Sequence, residues 1–277
     1  MKETILMTLA ALGLTGMAQA DYSVTLDSSY YNGLGAGRAS WVYVWTGSST
    51  GEYGTATNWS FLRNTGSTSL EQGESNKPVN ADPAFIGFTF SYNEDTSEQI
   101  LTANDTAITV TAPTWMGNGT NCRDVFLGNN VTIYGTNNGF DTNTVSFHFG
   151  DMSQTQSSIQ MADFWKRAGT VNFTGTLDMT SSSFKYTLFH STKMYQNVGT
   201  WNADFTITDQ YGETLQYAEM GSENVGKDGY YWLEQTGSGT DGGDFTISIV
   251  AQATPEPTTA TLSLLALAGL CARRRRK

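Results

Sequence analysis

Three carboxylates in this chain sit close to tryptophans: Asp163 two residues before Trp165, Asp204 three after Trp201, and Glu234 two after Trp232. Acid beside aromatic is the raw material of sugar chemistry, since a glycosidase holds two carboxyl groups about 5 to 10 Å apart around a ring that aromatic faces can grip. Strands can bring distant acids together, so linear spacing neither makes nor excludes such a pair. With 26 acidic residues in 277, neighbours of this kind also arise as ordinary solvated carboxylates. The only histidines are His148 and His190. Neither lies in a G-x-S-x-G or H-E-x-x-H frame, so no nucleophile triad or zinc site is indicated. His148 alternates away from the apolar row Val145, Phe147, Phe149, and His190 closes the strand that begins at Phe184. The sequence therefore names no catalytic residue, no metal ligands and no cofactor.

Binding is the other chemistry on offer. Seven tryptophans and thirteen tyrosines could supply ring faces for stacking on pyranose C–H groups, although most should fill a wide β core. Trp115, between Pro113 and the loop Gly117-Asn118-Gly119, and Tyr231, in the cluster Tyr230-Tyr231-Trp232, are the candidates for exposed glycan contacts, with Trp232 and Glu234 beside them. Asp241-Gly242-Gly243-Asp244 and Asn137 to Asp141 carry calcium-type oxygens, but without EF-hand spacing they read as turns. Thr109-Val110-Thr111 and Thr206-Ile207-Thr208 are two isolated Thr-x-Thr pairs and do not form a ladder.

The elements that must position these residues are short strands. Runs of β-branched and aromatic residues recur between Gly, Asn and Asp at Trp41–Trp45, Ala84–Phe90, Ala107–Thr111, Val131–Tyr134 and Thr144–Phe149. They continue at Thr170–Leu177, Phe184–Phe189, Phe205–Thr208, Gly229–Glu234 and Asp244–Val250. Period-two alternation marks them as half-buried. Ile159 to Ala168 breaks the pattern and could hold a short helical turn with Phe164 and Trp165 inward. Glycine-rich segments at Gly212-Glu213 and Gly237–Gly243 favour hairpins. Strand centres lie about 13 or 14 residues apart between Val131 and Phe189, but the spacing widens on both sides, so no clean repeat emerges. The expectation is one large all-β domain of many short strands, either an irregular β-helix or a jelly-roll-like β-sandwich, followed by a C-terminal transmembrane helix.

Both ends read as addresses. Lys2, the apolar stretch Ile5–Met17 and the small-x-small site Ala18-Gln19-Ala20 fit a signal peptide over residues 1–20, cleaved between Ala20 and Asp21. The domain is expected over 21–251 and a tail over 252–277. Within the tail, Pro255-Glu256-Pro257 precedes an apolar run over residues 258–272 and the basic end Arg273 to Lys277. That run spans about 22 Å as a helix, against a hydrocarbon core of ~30 Å. Arginine stems lengthen the reach. Without the two ends the chain carries 24 acidic and 9 basic residues, a net charge of −15. Such a surface repels nucleic acid and anionic glycans. Cys271 lies in the tail, which leaves Cys122 alone in the domain, so no internal disulfide can form there.

The Pro-Glu-Pro, apolar run and arginine block resemble the PEP-CTERM sorting tail of bacterial surface and exopolysaccharide-associated proteins. The resemblance implies a membrane sorting protease that cuts near Pro255, Glu256 and Pro257, with the membrane as a partner before processing. A second resemblance covers residues 41–90. Trp45-Thr46-Gly47, Asn58-Trp59-Ser60, Pro78 and Asp82 are similar to the opening segment of autotransporter-type β-repeat proteins, which implies a β-helical body. The function expected is that of an exported, non-enzymatic surface or matrix protein, either structural and adhesin-like or associated with extracellular polysaccharide, and without nucleic acid as a partner. The alternative is a carbohydrate-active enzyme or glycan-binding module of jelly-roll type.

Overall fold

Alternating apolar and polar residues give each strand a face to bury, and short parallel strands bury it by stacking rung upon rung. The computed structural model describes residues 22–27, 30–31, 41–63, 67–72, 77–78, 82–116, 124–140, 144–166, 169–197, 199–240 and 242–255, and these are all-β in character. Strand β1 (Ser23–Leu26) belongs to a side sheet. The first main sheet opens with β2 (Trp41–Trp45); the chain crosses to a second sheet as β3 (Thr50–Glu52) and returns as the antiparallel strands β4 (Trp59–Arg63) and β5 (Glu71–Gln72). It re-enters the first sheet as β6 (Ala84–Ile86), parallel to β2. The hairpin β7 (Phe88–Asn93) and β8 (Glu98–Ala103) then completes the side sheet with β1.

From there the path is regular. β9 (Ile108–Thr111) and β10 (Trp115–Met116) lie in the second sheet, β11 (Asp124–Leu127) in the first, β12 (Val131–Gly135) and β13 (Asn138–Phe140) in the second. β14 (Val145–Asp151), β16 (Thr170–Asp178) and β18 (Thr200–Thr208) continue the first sheet, and β15 (Ser158–Lys166) and β17 (Ser183–Asn197) the second. Pairing between successive turns is parallel from β6 to β18 and from β9 to β17. The second sheet closes with β19 (Gln216–Tyr217), β20 (Tyr230–Thr236) and β21 (Gly243–Gln252), where β20 and β21 form an antiparallel hairpin and β21 runs antiparallel to β17. The hairpin expected across Gly237–Gly243 is thus present.

Two inward columns face each other across the interior. Ala84, Val125, Phe147, Phe173 and Ala203 are in register in the first sheet, and Val110, Ile133, Ile159 and Phe189 in the second. All are buried in one core. Aromatic rings fill its wide C-terminal half: Phe189 lies 4.9 Å from Phe164, 5.1 Å from Trp201 and 6.1 Å from Phe140. Corners are tight. A Cβ on Gly128 would stand 2.1 Å from the Gly87 carbonyl oxygen, so only glycine lets these two turns stack.

Each end of the stack is closed differently. At the start, the Trp-Thr-Gly and Asn-Trp-Ser segments stitch β2 to β4: the Asn58 carbonyl accepts from the N–H groups of Thr46 and Gly47, and Trp45 and Trp59 meet edge to face at 5.1 Å. Trp59 Nε1 donates to the Tyr53 carbonyl at 2.8 Å. The side sheet covers the outer face of β2 and β6, burying Val42, Val44 and Phe85 against Leu26, Phe88 and Leu101. At the far end, edge strand β18 is covered by tyrosines. Tyr231 Oη accepts from the Phe205 N–H at 3.0 Å, and the Tyr217 hydroxyl takes the Ala203 N–H. Capping of this kind satisfies the free donors of an edge and withholds them from other chains.

Several sequence expectations change. Ile159 to Lys166 is not helical but most of strand β15, because parallel partners on both sides supply the ladder that local sequence does not. Phe164 faces inward there, and Trp165 outward. His190 sits in the middle of β17 and does not end it, since the strand runs on to Asn197. The body also reaches past residue 251: Gln252 ends β21, Ala253 is buried, and Asp209 Oδ2 accepts from Thr254 N at 3.0 Å and from its hydroxyl. Burial works against ionisation of the Asp209 carboxyl, but hydrogen bonds from Thr254, Glu213 and Tyr211 outweigh it and hold its pKa below the usual value. The signal segment with Ala20 and Asp21, Cys122, Asp241, and the tail from Glu256 and Pro257 onward lie outside the described residues. Among the described residues, no helix is long and apolar enough to cross a membrane.

Lys166 is the unusual member of the core. It is 1% exposed, with Nζ 3.3 Å from the Gly169 carbonyl and 5.2 Å over the Trp201 ring. Burial lowers its pKa to about 8. The unfolded chain therefore binds more protons than the folded one from about pH 8 up to the ordinary lysine value. Stability should rise with pH through that window, by on the order of 2 kcal/mol. Lys166→Met should raise the urea midpoint at pH 7 and flatten the rise between pH 8 and pH 10; an unchanged slope would contradict this account.

Candidate functional site

The acids singled out in the sequence do not meet. Asp163 lies on β15 and Glu234 on β20, with β17 and β21 between them in the sheet order; Asp204 is on the other sheet. Three spacings of about 4.8 Å separate the first two by roughly 14 Å across the sheet alone, and the register offsets them further along the strands. Each also has local partners. Asp163 Oδ1 is 3.6 Å from Lys193 Nζ and accepts from Tyr195 Oη at 3.4 Å, and Glu234 Oε1 is 2.5 Å from Lys185 Nζ. His148 faces outward, as its alternation implied, and stacks on Phe126 at 4.1 Å with Nδ1 2.8 Å from Thr174 Oγ1. His190 Nε2 lies 2.6 Å from Asp244 Oδ1. Among the described residues no group of three or more His, Cys, Asp or Glu could hold a metal ion.

The two expected aromatic contacts part company. Tyr231 is 4% exposed and its ring belongs to the core, 5.3 Å from Tyr217 and 6.3 Å from Phe205. Burial raises its phenol pKa, which keeps the hydroxyl neutral where it caps β18. Tyr231 turns inward because β18 lies beneath it, where its hydroxyl meets the Phe205 N–H. Trp232 is also buried, at the rim of a depression of about 430 Å³ shared with Met220, Val225 and Glu234.

Trp115 is different. It is half-buried on the outer face of the second sheet, where it pairs in register with Gly139, and Gly139 with Trp165. Its ring occupies the space of the missing side chain: a Cβ on Gly139 would lie 2.1 Å from Trp115 Cζ3. Trp165 is exposed and stacks on exposed Tyr195, with ring centres 5.0 Å apart and planes 21° from parallel. Trp115 and Trp165 flank an open depression of about 430 Å³ completed by Thr114, Asn137 and Gln196. Asn137 takes a left-handed backbone with φ of 55°, which asparagine tolerates better than most residues, and so turns the chain from β12 into β13 at this rim.

The support behind the depression is built from backbone. Buried Asn138 donates through Nδ2 to the carbonyls of Ala112, at 3.2 Å, and Pro113, at 2.7 Å; the Gly139 N–H donates to the Thr114 carbonyl at 2.9 Å. The segment that carries Trp115 is thereby fixed to β13. Sequence reading missed Tyr195 and Gln196, turned Trp165 inward, and read Asn137 only as part of a turn. The signal was present for Trp165, because an inward Phe164 in a strand requires an outward neighbour. The meeting of strand positions with the turn at Asn137 was not.

No family model, characterised protein or solved structure matches this chain.

The two roles considered for Tyr231 separate experimentally. Tyr231→Phe should leave the Phe205 N–H buried without an acceptor and lower stability by about 1–3 kcal/mol in urea unfolding. A surface stacking residue would tolerate the same change with stability intact.

Proposed function

We propose that the protein is an exported, non-enzymatic component of the cell surface or extracellular matrix, an irregular β-helix delivered by its C-terminal tail and associated with polysaccharide. The observation that carries this reading is the junction between domain and tail. Ala253 is 3% exposed, Thr254 is held by Asp209, and Pro255 is exposed. The body thus holds the chain up to Thr254 and exposes Pro255, the first residue of the Pro255-Glu256-Pro257 segment that a sorting protease at the membrane would have to reach.

The body suits the role. Its interior is apolar and aromatic, and its outer faces carry rows of small polar side chains, such as Asn172 and Asn202, joined Nδ2 to Oδ1 at 3.2 Å. A stack of coils closed by aromatic caps is a durable scaffold that needs no disulfide. Its acidic charge of −15 disfavours nucleic acid and suits a soluble surface protein.

Processing gives the test. Mass spectrometry of material released from producing cells should recover peptides up to the Thr254–Pro255 region and none containing the apolar run or the arginine block. Recovery of intact arginine-ended tails in that material would overturn sorting by cleavage, and retention of the whole chain in the cytosol would overturn export.

A further inference from the structure

The depression between Trp115 and Trp165 has the chemistry of a carbohydrate platform, and we propose that it binds an extended, uncharged β-linked polysaccharide running across the strands of the second sheet. This rests on the glycan-associated part of the reading above and is independent of export and sorting.

Four features select that ligand. The first is the pair of rings. Trp115 and Trp165 lie two strands apart, with only Gly139 between them in the register. Two strand spacings set their backbone positions about 9.6 Å apart, the scale of a disaccharide unit in an extended chain, with the Trp115 ring reaching over Gly139 towards Trp165. Indole faces, the negative side of the ring quadrupole, attract the positively polarised C–H groups of a pyranose. The second is Gly139 itself, whose lack of a side chain leaves room for the Trp115 ring to lie down on the sheet.

The third is the polar rim. Thr114, Asn137 and Gln196 are uncharged and together offer hydroxyl and amide groups that both donate and accept, which matches sugar hydroxyls. The fourth is charge. Asp163 and Lys193, outward on β15 and β17, are paired with each other at 3.6 Å and so present little net charge to a ligand. The protein as a whole is strongly acidic and repels anionic polymers at long range. Tyr195 serves as a brace: it covers one face of Trp165 and anchors its own hydroxyl on Asp163 at 3.4 Å.

An open groove of this kind fits the middle of a long chain better than a chain end, because sites for ends are closed by a wall. The depression is bordered by successive strands, so consecutive sugar units would lie along the axis of the coil.

Affinity electrophoresis of the full-length protein through gels containing neutral polysaccharides (β-glucan, xylan and mannan) or anionic ones (alginate and polygalacturonate) tests the assignment. At least one neutral β-linked polymer should retard the protein. Trp115→Ala and Trp165→Ala should each weaken that retardation at least tenfold, Trp165→Phe less so, and Lys185→Ala, remote from the groove, should leave it unchanged. Circular dichroism melts identify any variant that loses its fold; for such a variant, blocking of the groove by Thr114→Trp, which adds bulk at the rim, takes its place and should abolish retardation. Retardation that persists in both tryptophan variants, a preference for the anionic polymers, failure of every neutral polymer, or self-association through this face in place of glycan binding would each overturn the proposal. None of these outcomes bears on cleavage at Pro255, which the mass-spectrometric measurement reads separately.

Discussion

The structure depends on one constraint: inward side chains of successive coils must fall in register, so that each apolar face finds another directly above and below it. Ala84, Val125, Phe147, Phe173 and Ala203 satisfy this on one wall, and Val110, Ile133, Ile159 and Phe189 on the other. A short parallel strand has little stability alone, and its ladder is completed only by neighbours far away in sequence. Everything else serves that register. Glycine corners such as Gly128 permit the turns to stack, and the aromatic caps at β2 and β18 stop the stack from continuing into another molecule.

The same constraint explains why the repeat is hard to read. Ile133 aligns with Ile159 and Phe147 with Phe173, both 26 residues on; Ile159 then aligns with Phe189 and Phe173 with Ala203, both 30 residues on. Each coil contains two strands, so the 13- to 14-residue spacing visible in the sequence is half a period. Coil length then grows, and the hairpin β7–β8 interrupts the stack earlier on. The second sheet tolerates these insertions because they fall in the turns, where no register is kept. Irregular length, and not weak patterning, hid the architecture.

Function is placed by what the coil leaves on its surface. Inward positions are committed to packing, and that is why Tyr231, Trp201 and Phe164 are unavailable for ligand contact whatever their chemistry. Outward positions on neighbouring strands fall about 4.8 Å apart, so residues separated by tens of positions become adjacent. Trp115, Trp165 and Gln196 meet in this way on one face, joined there by Asn137 from the turn before β13. Lys166, inward beside outward Trp165, shows the cost of the pattern: the same alternation that exposes the ring buries an amine.

The sequence alone determined the β character, strands such as Trp41–Trp45, Val131–Tyr134 and Asp244–Val250, and the outward turn of His148, because these follow from period-two patterning and local turn chemistry; it left β4, β8 and β11 unmarked and read β15 as helical. It also made Trp115 a candidate for surface contact through the residues that flank it. Only the tertiary structure decided that neighbouring strands pair in parallel, that Tyr231 faces the interior while Trp165 faces solvent, and that Asp163, Asp204 and Glu234 stay apart. Those outcomes depend on which strand lies beside which. A strand with two usable faces carries no mark of its inner side until a partner covers one of them.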